Sequence, residues 1–332
     1  MTTTLDPVGE TLGTDPEAKR FSDIRDLLPN VDNPTPLVRI NRVLPDSALD
    51  LFLKLEWLNP FGSVKDRAAA YLLAGMTERG DLEGRDIVEA SSGNTAIALA
   101  ALATLQNKHL IVTIPDGVPE EKKVLLRMLG AEVWETPDDL CPVDHPKDGA
   151  FALARSIAAQ DHGNRFVMAN QYENEDNVRA HYETTGPEIW RQTEGQVRYF
   201  VAGRGTTGPV TGVGRYLKER DPSIKVIAIE PQRGHRLPGL KSFQEAKEPG
   251  ILDRSVIDDV IQVDDEPAYE LTKQLHRQEG LIVGPSTGAV IHAISELPAT
   301  ASGVAVGISP DSGVKYTSYF SEVLGDDGLP NL

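Results

Sequence analysis

Thiols are nearly absent from this chain: Cys141 is the only cysteine in 332 residues, which excludes an internal disulfide. It falls in an acidic, proline-bearing stretch, Thr136 to Asp148, whose net negative charge would not lower a thiol pKa, so it is not read as a nucleophile. Cations are also in deficit. Against 50 Asp and Glu stand 33 Lys and Arg, a net charge of −17 that repels phosphodiester backbones and anionic membranes. Nucleic acid is excluded as a partner, and any small anion the protein binds must meet a local cluster of donors. Apolar runs stay well short of the roughly 20 residues a spanning helix needs, and Met1 to Arg20 lacks the basic-then-apolar order of a signal peptide. The expected location is the cytoplasm. The seven histidines are scattered without metal-ligand spacing, His145 and His162 in loop-like surroundings, so no metal site is expected.

What the chain does have is a 40% apolar fraction with 29 glycines and 23 prolines, enough to bury a substantial core and long enough for two lobes. Residues 1–30 are polar and weakly patterned and read as a surface arm leading to Asn33-Pro34-Thr35-Pro36-Leu37. Beyond it, short β-branched runs alternate with helical patterns: Asp86 to Ala90 then Ala96 to Gln106, Leu110 to Ile114 then Glu120 to Leu129, Tyr199 to Ala202 then Val210 to Arg220. This alternation predicts parallel sheets covered by helices, in two α/β lobes sharing one cleft. Three strand-to-helix turns are rich in small polar or glycine residues: 91–95, 203–209 and 284–288. In parallel α/β folds such turns present bare amides at helix N-termini, where ligands bind.

Two segments carry chemistry on their own pattern. In Asn59-Pro60-Phe61-Gly62-Ser63-Val64-Lys65-Asp66-Arg67, Ser63 is expected as N-cap with Asp66 in a capping-box position, placing Lys65 in the first helical turn. The positive end of the helix dipole disfavours an ammonium there and favours the free amine that attacks an aldehyde. The loop Gly203-x-Gly205-x-x-Gly208 fits a dinucleotide fingerprint, with Glu230 about twenty residues further on as the ribose partner. It fits a phosphate monoester equally, because Thr206 and Thr207 add hydroxyls and Pro209 suits a first helical position. A nicotinamide oxidoreductase therefore stands beside a phosphate-bearing aldehyde cofactor as a reading of this loop.

Taken together, Asn59 to Arg67, Glu89 to Thr95, His181-Tyr182-Glu183-Thr184-Thr185-Gly186-Pro187-Glu188-Ile189-Trp190, the 203–209 loop, Gly280 to Gly288 and Pro310-Asp311-Ser312-Gly313 resemble the cysteine synthase and cystathionine β-synthase family. These are fold-type II enzymes dependent on pyridoxal 5'-phosphate (PLP), and the resemblance runs in the family's order from about Asn33 to Tyr316. It implies a tryptophan synthase β-subunit-like α/β fold of two lobes, each with a helix-covered, mostly parallel sheet. The implied division is an arm of residues 1–30, a larger PLP-binding lobe of 31–57 plus 176–332, and a smaller mobile lobe of 58–175. A homodimer acting on a small amino-acid substrate and a sulfur donor is implied as well.

Position by position, Lys65 resembles the lysine that holds PLP covalently and moves protons at Cα. Asn94 resembles the residue that bonds the 3′-oxygen. Ser91, Ser92, Gly93 and Thr95 resemble the loop that grips the amino-acid carboxylate, and Gln171 the glutamine that also reaches it. Gly205, Thr206, Thr207 and Gly208 look like the phosphate cradle, and Ser286 like the serine facing the pyridine nitrogen. A neutral hydroxyl there makes PLP a weaker electron sink than a carboxylate partner would, which favours β-elimination and re-addition over transamination. A silent relative acting only as a binding partner has no reason to keep Lys65, Asn94 and Ser286 together. The implied reaction is β-replacement on an O-activated L-serine, ahead of cystathionine synthesis or serine/threonine dehydration.

Three departures from the family pattern stand out. Thr207 replaces a usual glycine and Pro209 a usual threonine, so one backbone donor and one hydroxyl are lost at Pro209 and the Thr207 hydroxyl is a candidate substitute. Pro115 to Glu120 lacks the Met-Ser pair of many O-acetylserine users. Within Gly234 to Ser242, Lys241 falls near a usual glycine, with Arg236 close by in the chain; cations there suit an anionic leaving group or nucleophile, such as the phosphate of O-phosphoserine or thiosulfate, with O-acetylserine as the other choice of donor.

Overall fold

The computed structural model describes residues 20–91, 93–137, 149–160, 165–317 and 320; Ser92, Cys141, His145 and His162 lie outside them. After a 3₁₀ turn at Ile24–Leu27, β1 (Leu37–Arg39) pairs antiparallel with β2 (Leu49–Leu55), and α1 (Lys65–Glu78) follows. The chain then alternates through β3 (Asp86–Ala90), α2 (Asn94–Leu105), β4 (Leu110–Pro115), α3 (Glu120–Met128), β5 (Glu132–Thr136), α4 (Ala150–Gln160) and β6 (Phe166–Met168). These strands form a four-stranded sheet in the order β5-β4-β3-β6, all parallel. Every residue of β4 is buried, as expected for a strand covered by helices on both faces.

Helix α5 (Asp176–Ala180), a π-helical turn at His181–Thr185 and α6 (Gly186–Gln192) lead back to the first sheet. There β7 (Val197–Gly203), α7 (Gly208–Arg220), β8 (Lys225–Pro231), β9 (Asp259–Val263), α8 (Asp265–Gln274), α9 (Pro285–Ser295) and β10 (Gly303–Ser309) complete a six-stranded sheet, order β1-β2-β10-β7-β8-β9. Only the β1–β2 pairing is antiparallel. The four-stranded unit is thus inserted in sequence between β2 and β7. The architecture is the expected two-sheet, helix-covered α/β arrangement, with the sequence-read strands and helices in place and their ends shifted by a few residues. Among the described residues no helix is long and apolar enough to cross a membrane.

One N-terminus differs from expectation. Helix α1 is capped by Val64 rather than Ser63, without a side-chain cap bond. The Ser63 hydroxyl still accepts from the Lys65 amide (3.2 Å) and donates to Asp66 (3.2 Å), while Asp66 turns back to accept from the Phe61 amide (2.6 Å). The cause is tertiary: Val64 donates its amide to the Pro310 carbonyl (2.8 Å), and Ser63 bridges Asp311, which draws the pre-helical turn toward the end of β10.

Two residues beyond Lys65, Arg67 is almost fully buried between two carboxylates. Its guanidinium donates to Glu56 at 2.7 and 2.9 Å and to Glu188 at 2.5 and 2.8 Å, with further bonds to Thr35 and Thr184. Lys54, also buried, stands 2.7 Å from Glu188, so two positive and two negative groups balance. Burial opposes the charge on Glu56, but Arg67 beside it wins and holds that carboxyl at about 2. Removing one member of such a cluster leaves an uncompensated buried charge. Glu188→Ala is therefore expected to cost about 3–5 kcal/mol of stability, read as a lower denaturation midpoint in urea, whereas breaking an exposed pair such as Arg25–Asp23 should leave that midpoint nearly unchanged.

Candidate active site

The carboxyl ends of β3, β7 and β10 and the start of α1 meet around Lys65. Its amine lies 3.3 Å from the Thr206 hydroxyl. Burial pushes the amine down to about 8, and the Lys241 ammonium depresses it further, while the Asp311 carboxylate works the other way. The dipole of α1 was the expected cause of a free amine; desolvation is the leading one. Asn94 opens α2 and donates to Asp311 (2.6 Å), and its carbonyl oxygen accepts from Lys315 (2.8 Å).

Ser91, at the end of β3, is buried and its hydroxyl faces the Gly93 amide (3.5 Å). Among the described residues, no atom beyond the chain neighbours lies within 4 Å of where a Cβ on Gly93 would stand. Thr95 donates to the Gln171 side-chain oxygen at 2.6 Å, and the Gln171 carbonyl accepts from Asn177 at 2.8 Å. Beneath them Glu89 accepts from the Asn170 amide (2.7 Å) and, more loosely, that of Gln171 (3.4 Å); burial raises its carboxyl to about 7. Ser286 is buried in the first turn of α9, and the preceding Gly284 amide donates to the Asp311 carbonyl (3.1 Å).

The 205–208 loop turns through Thr207 in the left-handed region (φ 67°) into the N-terminus of α7. A Cβ on Gly205 would stand 2.5 Å from the Gly239 carbonyl oxygen, and one on Gly208 would overlap the Asn177 amide, so the loop is pressed between neighbours. The Thr207 hydroxyl donates to the Thr206 carbonyl at 2.6 Å. That bond occupies its one proton, so meeting a phosphate would require the hydroxyl to rotate. Glu230 does not stand ready for a ribose. It is buried, bonded to Arg204 (2.5 Å) and to the Phe243 amide (2.8 Å), and it holds the glycine loop to the 240s. The nicotinamide reading is not supported.

Of the two cations in the 234–242 loop, Lys241 reaches the site. It is half-buried, with its ammonium 4.9 Å from the centre of the Tyr172 ring and near enough to Lys65 to lower its pKa. Arg236 is exposed, and its main chain is tied to α8: the amide donates to Asp265 (2.8 and 3.1 Å) and the carbonyl accepts from Tyr269 (2.7 Å). Ser92 lies outside the described residues.

Several residues at the site carried no role in the sequence reading: Glu89, Asn177, Asp311, Lys315 and Tyr316. An acid between Val88 and Ala90 in a buried strand was a visible signal; the others depend on contacts far apart in sequence. Buried Asp311 Oδ1 and Asn177 Oδ1 have no hydrogen-bond partner among the described residues, the mark of a site that a polar ligand completes. Together with the α7 N-terminus and a lysine of lowered pKa, these features suit a phosphorylated aldehyde.

Comparison with known proteins agrees. Residues 29–309 match the model of the family described as pyridoxal-phosphate dependent enzyme. A cysteine synthase B of Salmonella typhimurium is 37% identical over 286 residues, 86% of this chain and 92% of that protein. Among solved structures, an O-ureido-L-serine synthase superposes with a TM-score of 0.81 at 32% identity, covering 94% of this chain and 97% of the other. The cysteine synthase of Entamoeba histolytica gives a TM-score of 0.83 at 28% identity, covering 96% of each.

Capture of an aldehyde requires the neutral amine, and the Lys65 amine sits at about 8. The rate at which apo-protein takes up added pyridoxal phosphate should therefore rise about tenfold per pH unit below that value and level off above it. Mass spectrometry after borohydride reduction is expected to find the adduct on Lys65 and none in Lys65→Ala.

Proposed function

Because the chain belongs to the pyridoxal-phosphate-dependent enzyme family and is a β-replacement enzyme of cysteine-synthase type, we propose that it makes L-cysteine from O-phosphoserine in preference to O-acetylserine. The observation that carries the choice of donor is Lys241, whose half-buried ammonium faces Tyr172, next to Gln171, and acts on Lys65 through space. A phosphate leaving group gains a cation there in a partly desolvated setting, where a charged contact is worth more than in water. An acetyl ester gains nothing comparable.

Pyridoxal phosphate, when bound, supplies the electron sink that makes the Cα proton acidic and the Cβ substituent labile. In our reading Lys65 holds it, and the freed amine then takes the Cα proton and returns it after the sulfur nucleophile has added. Gly205, Thr206 and Gly208 hold the phosphate with main-chain amides and one hydroxyl at the N-terminus of α7, and Thr207 supplies the left-handed turn that aims them. The substrate carboxylate is assigned to Ser91, Ser92, Gly93, Thr95 and Gln171. Because the Gln171 side-chain oxygen already accepts from Thr95, its amide hydrogens are the part left to meet a carboxylate. Ser286 offers the ring nitrogen a neutral hydroxyl, and Asn94 offers the 3′-oxygen an amide hydrogen. Residues 58–175 form the smaller unit that closes on the substrate in this reading.

The donor is tested by steady-state kinetics with both esters and one sulfur source. Lys241→Met should raise KM or lower kcat/KM for O-phosphoserine by about 10- to 100-fold, the range of one hydrogen bond to a charged group, and change O-acetylserine turnover less than about twofold. Saturable turnover with O-acetylserine and none with O-phosphoserine in the parent protein would overturn the choice of donor while leaving the reaction type intact.

A further inference from the structure

Asn94 is the first residue of α2, yet both polar ends of its side chain are held by residues that follow β10, more than 200 positions along the chain. Its Nδ2 donates to Asp311 (2.6 Å), and its Oδ1 accepts from the Lys315 ammonium (2.8 Å). A side-chain amide is nearly symmetric in shape, so which end faces which way is decided by what it meets. Here a carboxylate can only accept and an ammonium can only donate. Turning the amide over would set NH₂ against NH₃⁺ and oxygen against oxygen, so the charges on either side exclude the reversed orientation.

Both partners are themselves built in. The same Lys315 ammonium donates to the Gly62 carbonyl (2.8 Å), on the turn that leads to Lys65. Gly62 reaches that position at φ 82°, and a Cβ there would sit 3.4 Å from the ammonium. Asp311 is buried, and the Tyr316 hydroxyl donates to the same carboxylate oxygen that Asn94 uses. Its other oxygen has no partner. One Nδ2 hydrogen of Asn94 is thereby spent on Asp311, and the second is the donor that the amide keeps for a ligand.

We propose that Lys315 and Asp311 are positioning residues for the cofactor: they lock the Asn94 amide so that a donor, never the carbonyl, faces the cofactor's 3′-oxygen. The assignment rests on Asn94 facing that oxygen and is independent of the ester donor.

Cofactor affinity measured on apo-protein, by the growth of the violet absorption band on titration with pyridoxal phosphate, tests it without recourse to turnover. Lys315→Met is expected to weaken binding about tenfold, with the apo-protein's thermal midpoint shifted by no more than about 3 °C. Lys315→Arg, which keeps a charged donor, should stay within about threefold of the parent. Asn94→Ala should weaken binding by at least as much as Lys315→Met, and the double variant should be no more than about twofold worse than Asn94→Ala alone, because Lys315 acts through Asn94. Should Lys315→Met fold poorly, Lys315→Gln takes its place in the same cycle. Additive losses in the double variant, or unchanged affinity in Lys315→Met, would overturn the proposal in favour of simple anchoring of the 59–65 turn through Gly62. Unchanged affinity in Asn94→Ala would overturn it too, by removing Asn94 from the cofactor.

Discussion

A guanidinium buried between two carboxylates is the constraint on which the site depends. Arg67 is tied to Glu56, just after β2, and to Glu188 on α6, with Lys54 completing the charge balance. In a buried setting none of these groups can be left alone, since an unpaired charge costs several kcal/mol. Helix α1 therefore cannot shift or rotate freely at its first turn, and Lys65, two residues before Arg67, inherits a set position against Thr206. The His181–Trp190 segment, which supplies Thr184 and Glu188, belongs to this frame rather than to the chemistry.

On that frame the site is assembled by contacts that cross between the two sheets. Asn94 at the start of α2 meets Asp311 and Lys315 beyond β10; Asn177, which packs against Gly208 of the phosphate loop, donates to the Gln171 carbonyl after β6; and Lys241 reaches Tyr172. Each is a polar or cation–π contact rather than broad apolar packing. Such contacts are directional, so small movements of one sheet's unit against the other change them in an all-or-none way, which suits a site that must admit and release substrate.

Burial explains the site's titration behaviour with little help from charge pairing. Lys65 is lowered and Glu89 raised, each chiefly because the charged form is desolvated. The shifts leave an amine near neutrality and a carboxyl that titrates near it, side by side with fixed donors. In a chain carrying a net charge of −17, a helix N-terminus, Lys65 and Lys241 converge here into a local set of donors for an anion.

The alternation of apolar strands with helical patterns was enough to predict parallel sheets, because period-2 and period-3.6 burial leave their marks in any local window. The glycine turns were equally legible, since a left-handed or close-packed backbone demands particular residues, and the motif order around Lys65, Asn94, 205–208 and Ser286 carried the family. Other features were decided only in three dimensions. Ser63 was read as the cap of α1, but a backbone bond from Val64 to Pro310 moved the cap by one residue, and the bond between the Thr207 hydroxyl and the Thr206 carbonyl has no local signature. Arg236 and Lys241 look alike in sequence, yet Arg236 is exposed whereas Lys241 is half-buried with its ammonium over Tyr172. Glu230 has the spacing of a ribose ligand and is instead the partner of Arg204. Local sequence determines backbone conformation because its causes are local; which side chain meets which is set by chain segments hundreds of residues apart, and so is the direction in which Asn94 faces.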